Sequence, residues 1–474
     1  MIGGGIAGLA AAHRTVELKS PVGLTLFEAG PRLGGVLSTI HAGGYQVEQS
    51  ADNFITTIPW GLDLCKRLGL LDQLVQTNPA DRHTFVVRRG RLYRLPDGFL
   101  MMAPTQLWPL ALTPILSPLG KIRAALEYFI PPRREEGDES MAAFVRRRLG
   151  REAFDRLVEP LVSAVYAADM EKLSVEATLS RFREMEREHG SLIRAMRRAR
   201  KSTPKQAGAE SGARYSMFVT LRDGLSSLVQ ALAARLPAGS VRLNSPVERI
   251  ERLGRLWRVF PKGLPSPSGR GAGGEGSLGE GSLEFDRVIV ATPSYEAARL
   301  LAPVDCELAA ELGRIEHSGT AIVSLGYDRR EVAHSLRGMG VVVPAIERSP
   351  ILACSFSSQK YPHRAPEGKV LLRVFVGGAR QPELAEMPDG QLRTLVLAHL
   401  EPLLGIRGRP EYCDVAHWPR TMPQYHVGHR QLVARIEARL DRLPGLQLAG
   451  NAYHGVGLPD CIHSGELAAQ RLLG

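Results

Sequence analysis

The chain begins MIGGGIAGLAAAH, and the spacing of Gly3, Gly5 and Gly8 constrains its fold more than any other feature. Gly3 permits a tight turn, Gly5 lets backbone approach a pyrophosphate, and Gly8 allows a helix to pack closely on a strand. The architecture that uses such a turn is a parallel sheet in which a strand feeds the N-terminus of a helix. Twenty residues past Gly8, Glu28 closes the apolar stretch LTLFE. A carboxylate there accepts ribose hydroxyls and disfavours a 2′-phosphate. Together these features predict a dinucleotide cradle. The strand before it is only Met1-Ile2, which predicts either a late start or a truncated strand with a less firmly held nucleotide.

Two further stretches choose the dinucleotide. EAGPRLGGVLST places Gly34 and Gly35 shortly after Glu28, so the chain can pass close beside the same nucleotide. Near the other terminus, GNAYHGVGLPDC predicts a helix starting near Pro459, with Asp460 in its first turn. The positive end of that helix, aimed at a flavin's pyrimidine edge, would stabilise the charge gained on reduction. A cofactor gripped by both ends of the chain is a flavin arrangement rather than a nicotinamide one. FAD is the expected cofactor.

At 474 residues the chain exceeds one ordinary core, so two or three domains are expected. Lys and Arg outnumber Asp and Glu by 60 to 49, a formal charge of +11 that attracts anions. The charged stretch RFREMEREHGSLIRAMRRARKSTPK (181–205) interleaves acids with arginines and lacks alternating aromatics, so it reads as a solvated helix face rather than a nucleic-acid arm. No nucleic-acid partner is expected. Five cysteines without a CxxC spacing suit reduced thiols in a cytoplasmic protein and argue against a disulfide framework. His426 and His429, with His417 upstream, lack a third convincing ligand, and no metal site is expected.

GFLMMAPTQLWPLALTPILSPLG (98–120) carries no charge, yet Pro104, Pro109, Pro114 and Pro118 exclude a spanning helix. It reads either as an apolar surface that lines a channel or rests on a membrane, or as a buried connection. DESMAAFVRRRLGREAFDRLVEPLVSAVY has helical spacing with a cap at Asp138 or Ser140. SPVERIERLGRLWRVF predicts a strand pair. GLPSPSGRGAGGEGSLGEGS (263–282) is of low complexity and reads as an enlarged, disordered hairpin tip. Residues 320–376 are strand-rich.

GGGIAGL, the acidic Glu28, RLGG, DRVIVATP and GVGLPDC resemble the amine-oxidase class of flavoproteins. Within that class, DESMAAFVRRRLGREAFDRLVEPLVSAVYAADMEKLSVEAT, EREHGSLI, YPHRAPEGKVLLR and WPRTMPQYHVGH resemble the oxygen-dependent protoporphyrinogen/coproporphyrinogen III oxidases, the last two stretches most like the bacterial coproporphyrinogen branch. The resemblance implies an α/β plus α+β fold. Its parts are a Rossmann-like FAD domain (1–80, 206–299 and 430–474, with a disordered loop at 261–282), a helical membrane-docking domain (81–205) and an antiparallel-sheet substrate domain (300–429). It implies FAD contacts at Gly3, Gly5, Gly8, Glu28, Ala29, Val36, Ser50, Ala51, Asp52, Asn53, Val247, Trp418, Val456, Gly457 and Leu458. The macrocycle would be walled by Ala164, Met339, Gly340, Val342 and Phe375, with Tyr166 a further candidate. Ordinary core packing is an open alternative for each of these six.

The implied reaction takes six electrons from coproporphyrinogen III in three flavin cycles, with O2 as the final acceptor. Protoporphyrinogen IX is the alternative substrate. No side chain is expected as a general acid or base, because pyrrole protons can leave to water by tautomerisation. The family implies haem biosynthesis, transient contact with a ferrochelatase, a monomer or dimer, and a cytoplasmic or peripheral-membrane location. More distant readings are a flavin amine oxidase or desaturase, or a non-catalytic porphyrin carrier bearing FAD. Two departures stand out. Ala164-Val165-Tyr166-Ala167-Ala168-Asp169 replaces a GIYAGD-like stretch, and Thr84 stands where some relatives carry a propionate-binding arginine. Arg82, Arg88, Arg91 and Arg94 lie near that position.

Overall fold

A computed structural model describes all residues except 20, 105, 136, 203–216, 264–280 and 474, so nearly all of the low-complexity stretch lies outside the described residues. Ile2 bridges in parallel to Phe27 on one side and to Val290 on the other. Leu26–Phe27 pairs in parallel with Val241–Arg242, and Val288–Val290 with Leu446–Leu448. The result is a parallel sheet in the order 241–242, 26–27, 2, 288–290, 446–448. Short as it is, the first strand keeps its ladder. Ile2 N–H donates to Ile289 O (2.9 Å), Gly3 N–H donates to Phe27 O (2.8 Å), and Ile2 O accepts from Ala291 N–H (2.8 Å).

Helix Ile6–Glu17 buries an alanine-rich face against the C-terminal helix Leu458–Leu473. The approach is backbone-close: a Cβ on Gly465 would stand 2.0 Å from Ala7 O. That contact joins the two ends of the sequence. The strand pair Val247–Leu253 and Leu256–Pro261 forms antiparallel as expected.

A second sheet has seven strands, in the order Tyr412–Pro423, His317–Asp328, Lys369–Gly377, Ile351–Phe356, Gly340–Val342, Thr84–Arg88, Arg91–Arg94. It is antiparallel except where Gly340–Val342 pairs in parallel with Thr84–Arg88. The segment 84–94, expected in the helical unit, therefore belongs to this sheet. One face (Val323, Val341, Cys354, Leu372, Val374) packs with Leu392, Val396, Leu400 and Leu404 of helix Asp389–Leu404. The alternate residues face the other way.

The helical unit packs around Phe144, Leu157, Val162 and Phe182. Ser140 caps helix Met141–Leu149, its hydroxyl accepting from Ala143 N–H (3.2 Å). The uncharged segment divides its surface. Phe99, Met102, Leu110, Ile115 and Leu116 are buried, whereas Trp108 (77 %), Leu112 and Leu119 (78 %) are exposed, as are Ile122 and Phe129 (73 %) just beyond its end.

The charged stretch is solvated as expected at Arg181, Glu184, Arg187, Glu188, Arg197 and Arg198, with two exceptions. Arg183 and Glu186 are buried, and Arg147, Arg148 and Arg183 all reach Glu186. Glu127, also buried, accepts from Arg148 Nε (2.8 Å), Ser191 Oγ (2.6 Å), and the N–H groups of Leu192 (2.8 Å) and Ile193 (3.1 Å). One carboxylate thus pairs a buried guanidinium and caps helix Leu192–Ser202. Burying these charges is tolerable only because the set is matched. Glu127→Ala leaves Arg148 short of its partner and is expected to cost about 3–5 kcal/mol in urea unfolding.

Candidate functional site

Gly3 and Gly8 are required by the protein's own packing. Gly3 has φ +103°, and Cβ atoms at Gly3 and Gly8 would lie 2.6 Å from Ala291 O and 1.9 Å from Gly3 O. Gly5 is different. Its φ is −69°, open to any residue, and a Cβ there would meet nothing within 4 Å. Neither conformation nor internal packing calls for glycine at position 5, so its lack of a side chain leaves room for something beside the helix start.

The structure brings the other cradle elements to the same place. Gly34 forms a parallel bridge with Gly5 and donates its N–H to Gly4 O (2.8 Å), while a Cβ on Gly35 would lie 3.2 Å from Gly5 Cα. Glu28 accepts from Gly4 N–H and Gly30 N–H, both at 2.7 Å. A carboxylate has about four lone-pair sites, so capacity for a ribose remains. Ala29 and Val36 are exposed at the rim, and Val247 is buried beside Phe27 and Ile2.

Ser50, Ala51, Asp52 and Asn53 cross the free face of the seven-stranded sheet. Trp418 Nε1 donates to Gln49 O (2.5 Å), and Arg373 donates to Ser50 O. Lys360 Nζ reaches Asp52 Oδ2 at 3.0 Å, and Arg364 Nη2 donates to Asp52 O at 2.7 Å. Burial alone would raise the Asp52 carboxyl, but Lys360, Arg373 and Arg364 outweigh it and hold it well below the usual carboxylate range. The segment leads into Phe54, which packs with Leu458 at the start of the C-terminal helix.

In the C-terminal motif, Asp460 Oδ2 accepts from Gly457 N–H (3.2 Å), and burial pushes the Asp460 carboxyl up. Tyr425, absent from the expected set, braces this loop. Its hydroxyl donates to Asn451 O (2.5 Å) and accepts from Gly455 N–H (2.9 Å). Its ring stacks on His429 at 3.9 Å, and His429 Nε2 lies 3.2 Å from Tyr453 O.

Val342 and Phe375 lie in one apolar row across the sheet, Val86–Val342–Ala353–Phe375–Ile322–Ala416. The cluster around them also holds Tyr166 and Val456, so candidate substrate and cofactor residues meet. Gly340 sits one row over, opposite Thr84. Met339 is buried before the strand, and Ala164 is exposed on helix Glu159–Tyr166; both lie outside that cluster. Ala168 fits its methyl into the helical core, and Ala167 takes φ +48° with its carbonyl held by Ala379 N–H (2.8 Å) and Ser318 Oγ (3.1 Å).

The three histidines go to separate partners. His417 contacts Ala385 O and Asp389, His426 lies near Glu316, and His429 stacks on Tyr425. Of the arginines near Thr84, Arg82 donates to Asn78 O, Arg88 to Pro114 O and Arg94 to Asp97, while Arg91 is exposed.

A strand–glycine turn–helix cradle closed by a helix from the far end of the chain defines a flavoprotein oxidoreductase. Residues 6–473 match the family of flavin containing amine oxidoreductases, and the chain belongs to that family. The chain is 35 % identical to the coproporphyrinogen III oxidase of Bacillus subtilis, covering 100 % of this chain and 97 % of that protein. It is 31 % identical to the chloroplastic protoporphyrinogen oxidase of Nicotiana tabacum, covering 100 % and 85 %. The crystal structure of an Exiguobacterium sp. 255-15 protein, provisionally named a protoporphyrinogen oxidase, superposes with a TM-score of 0.86 at 30 % identity, covering 99 % and 97 %. FAD is the cofactor, and the room left at Gly5 fits a pyrophosphate lying beside the cradle.

Gly5→Val is expected to cost the FAD-free protein no more than about 1 kcal/mol, the N-cap preference for glycine over valine, and to weaken FAD binding at least tenfold by fluorescence titration. A second expectation concerns acid. Burial holds His429 down to about 4, against 6.5 when unfolded. The unfolded chain takes up the proton first, so this group's stabilisation is complete above pH 6.5 and is lost as pH falls toward 4. Its share is about 3 kcal/mol. His429→Phe should remove that part of the slope in pH-resolved unfolding.

Proposed function

We propose that the protein oxidises coproporphyrinogen III to coproporphyrin III, with protoporphyrinogen IX the alternative substrate. The observation that carries this reading is the full-length likeness to a bacterial oxidase named for that reaction. Gly3, Gly5, Gly8, Glu28, Ala29, Val36, Ser50–Asn53, Val247, Trp418, Val456, Gly457 and Leu458 would hold FAD. When bound, FAD accepts hydride from the macrocycle and passes the electrons to O2. Phe375, Val342, Gly340, Met339, Tyr166 and Ala164 would present an apolar wall to a flat ring. The formal +11 charge favours a substrate bearing four carboxylates. No side chain is assigned as acid or base, since the pyrrole protons are lost to water.

The location of the enzyme is part of the same reading. None of the described helices is long and apolar enough to cross a membrane. Trp108, Leu112, Leu119, Ile122 and Phe129 are exposed within one stretch of 22 residues, and that patch supports docking of the helical unit on a bilayer surface from the cytoplasm. A monomer or dimer, handing porphyrin to a metal-inserting enzyme such as a ferrochelatase, completes the proposal.

FAD-loaded protein in air should produce fluorescent porphyrin faster from coproporphyrinogen III than from protoporphyrinogen IX, after subtraction of autoxidation. The reverse order would assign the alternative substrate, and activity on neither would sink the tetrapyrrole reading. Trp108→Glu with Phe129→Glu is expected to reduce co-sedimentation with anionic liposomes several-fold while porphyrin formation in detergent persists.

A further inference from the structure

Strand Lys369–Gly377 carries a charge where its alternation calls for an apolar residue. On the face turned toward segment 50–53, Leu371 packs with Tyr45 and Val47, and Phe375 packs with the helical cluster. Arg373, between them, is fully buried at 0 % exposure. It donates to Ser50 O, its Nη1 lies 3.5 Å from Asp52 Oδ2, and its guanidinium stands 5.3 Å from the Phe375 ring centroid.

The surroundings leave this cation under-compensated. Arg373, Arg364 and Lys360 all converge on Asp52. Glu48 is the other buried carboxylate, 3.8 Å from Arg364, and burial pushes its carboxyl up toward the neutral form. Asp414, two strands along the same row, is about 10 Å away by strand spacing. Burial and the neighbouring Arg364 together lower the Arg373 pKa, the direction expected of a cation short of counter-charge. Among the described residues, Arg373 Nε and Nη1 and the adjacent Ser355 Oγ are buried and make no hydrogen bond. Buried donors without acceptors are costly, and three together mark a place where an acceptor is missing.

Segment 50–53 lies directly on Arg373 and is the stretch that the proposed function gives to FAD. We propose that Arg373 is an electrostatic positioning residue for the flavin: its surplus charge stabilises the negative charge that the isoalloxazine gains on reduction, and Asp52 sets how much surplus remains. The inference rests on the FAD reading of segment 50–53. A substrate carboxylate is the weaker partner, because the next row toward the helical unit, from Val86 to Ala416, is apolar throughout.

The test is the two-electron reduction potential of FAD-loaded protein, measured by equilibration with a reference dye. Arg373→Gln should move the equilibrium at least tenfold toward oxidised flavin, about 30 mV for a two-electron couple. Asp52→Asn should move it at least tenfold the other way, and Arg373→Lys should stay within threefold of the parent. A residue that only packs would weaken FAD retention in both variants without shifts of opposite sign. Shifts of the same sign, or none, overturn the inference. So does an unmoved potential with a raised KM for coproporphyrinogen III in Arg373→Gln, which would assign the charge to a substrate carboxylate. If Arg373→Gln does not fold, Lys360→Met removes one charge from the same cluster and should lower the equilibrium tenfold. Parent protein that takes up no FAD overturns the flavin reading and this inference with it, whereas FAD-loaded variants with unmoved potentials overturn this inference alone.

Discussion

Backbone meets backbone where the first helix passes the last, and the rest of the site depends on that contact. Gly8 lies under Gly3 O and Gly465 under Ala7 O, at distances no side chain could share. A Cβ on Gly465 would force the two helices apart, and one on Gly8 would push the first helix off the glycine turn, so either would separate the cradle from the motif that closes it. Small residues here build a site from sequence segments more than 440 residues apart.

The seven-stranded sheet supplies the opposite wall, and its two faces do different work. One face is sealed by helix Asp389–Leu404 and provides rigidity. The other is ordered in rows: an apolar row containing Val342 and Phe375, beside a polar row, Thr84–Gly340–Ser355–Arg373–Ser324–Asp414. The main chain at Gln49 and Ser50 is tied to this face by Trp418 and Arg373, which donate to the two carbonyls. The helical unit adds Tyr166 to the apolar row and matches its buried Arg148 and Arg183 with its own Glu127 and Glu186.

Local signals were readable in the sequence. Glycine spacing, the acidic residue after a strand, the Ser140 cap and the helix start near Pro459 depend on a few neighbouring residues. What depended on distant partners was not readable. Thr84–Arg94 joins the sheet because Gly340–Val342, some 250 residues on, pairs with it. Arg183 and Glu186 look like solvent-facing charges until Glu127, Arg147 and Arg148 are placed around them. Arg373 did leave a trace: a lone arginine in KVLLRVFVGG is a charge inside an apolar strand. Its meaning needed Asp52, which sits more than 300 positions earlier.

The central claim is that a flavin gripped by both chain ends takes electrons from a porphyrinogen lying against the sheet. Anaerobic mixing of FAD-loaded protein, in excess, with coproporphyrinogen III tests it most directly. The account predicts that flavin absorbance bleaches as porphyrin absorbance rises, with three flavins reduced per porphyrin formed. Flavin that stays oxidised while porphyrinogen persists would contradict it.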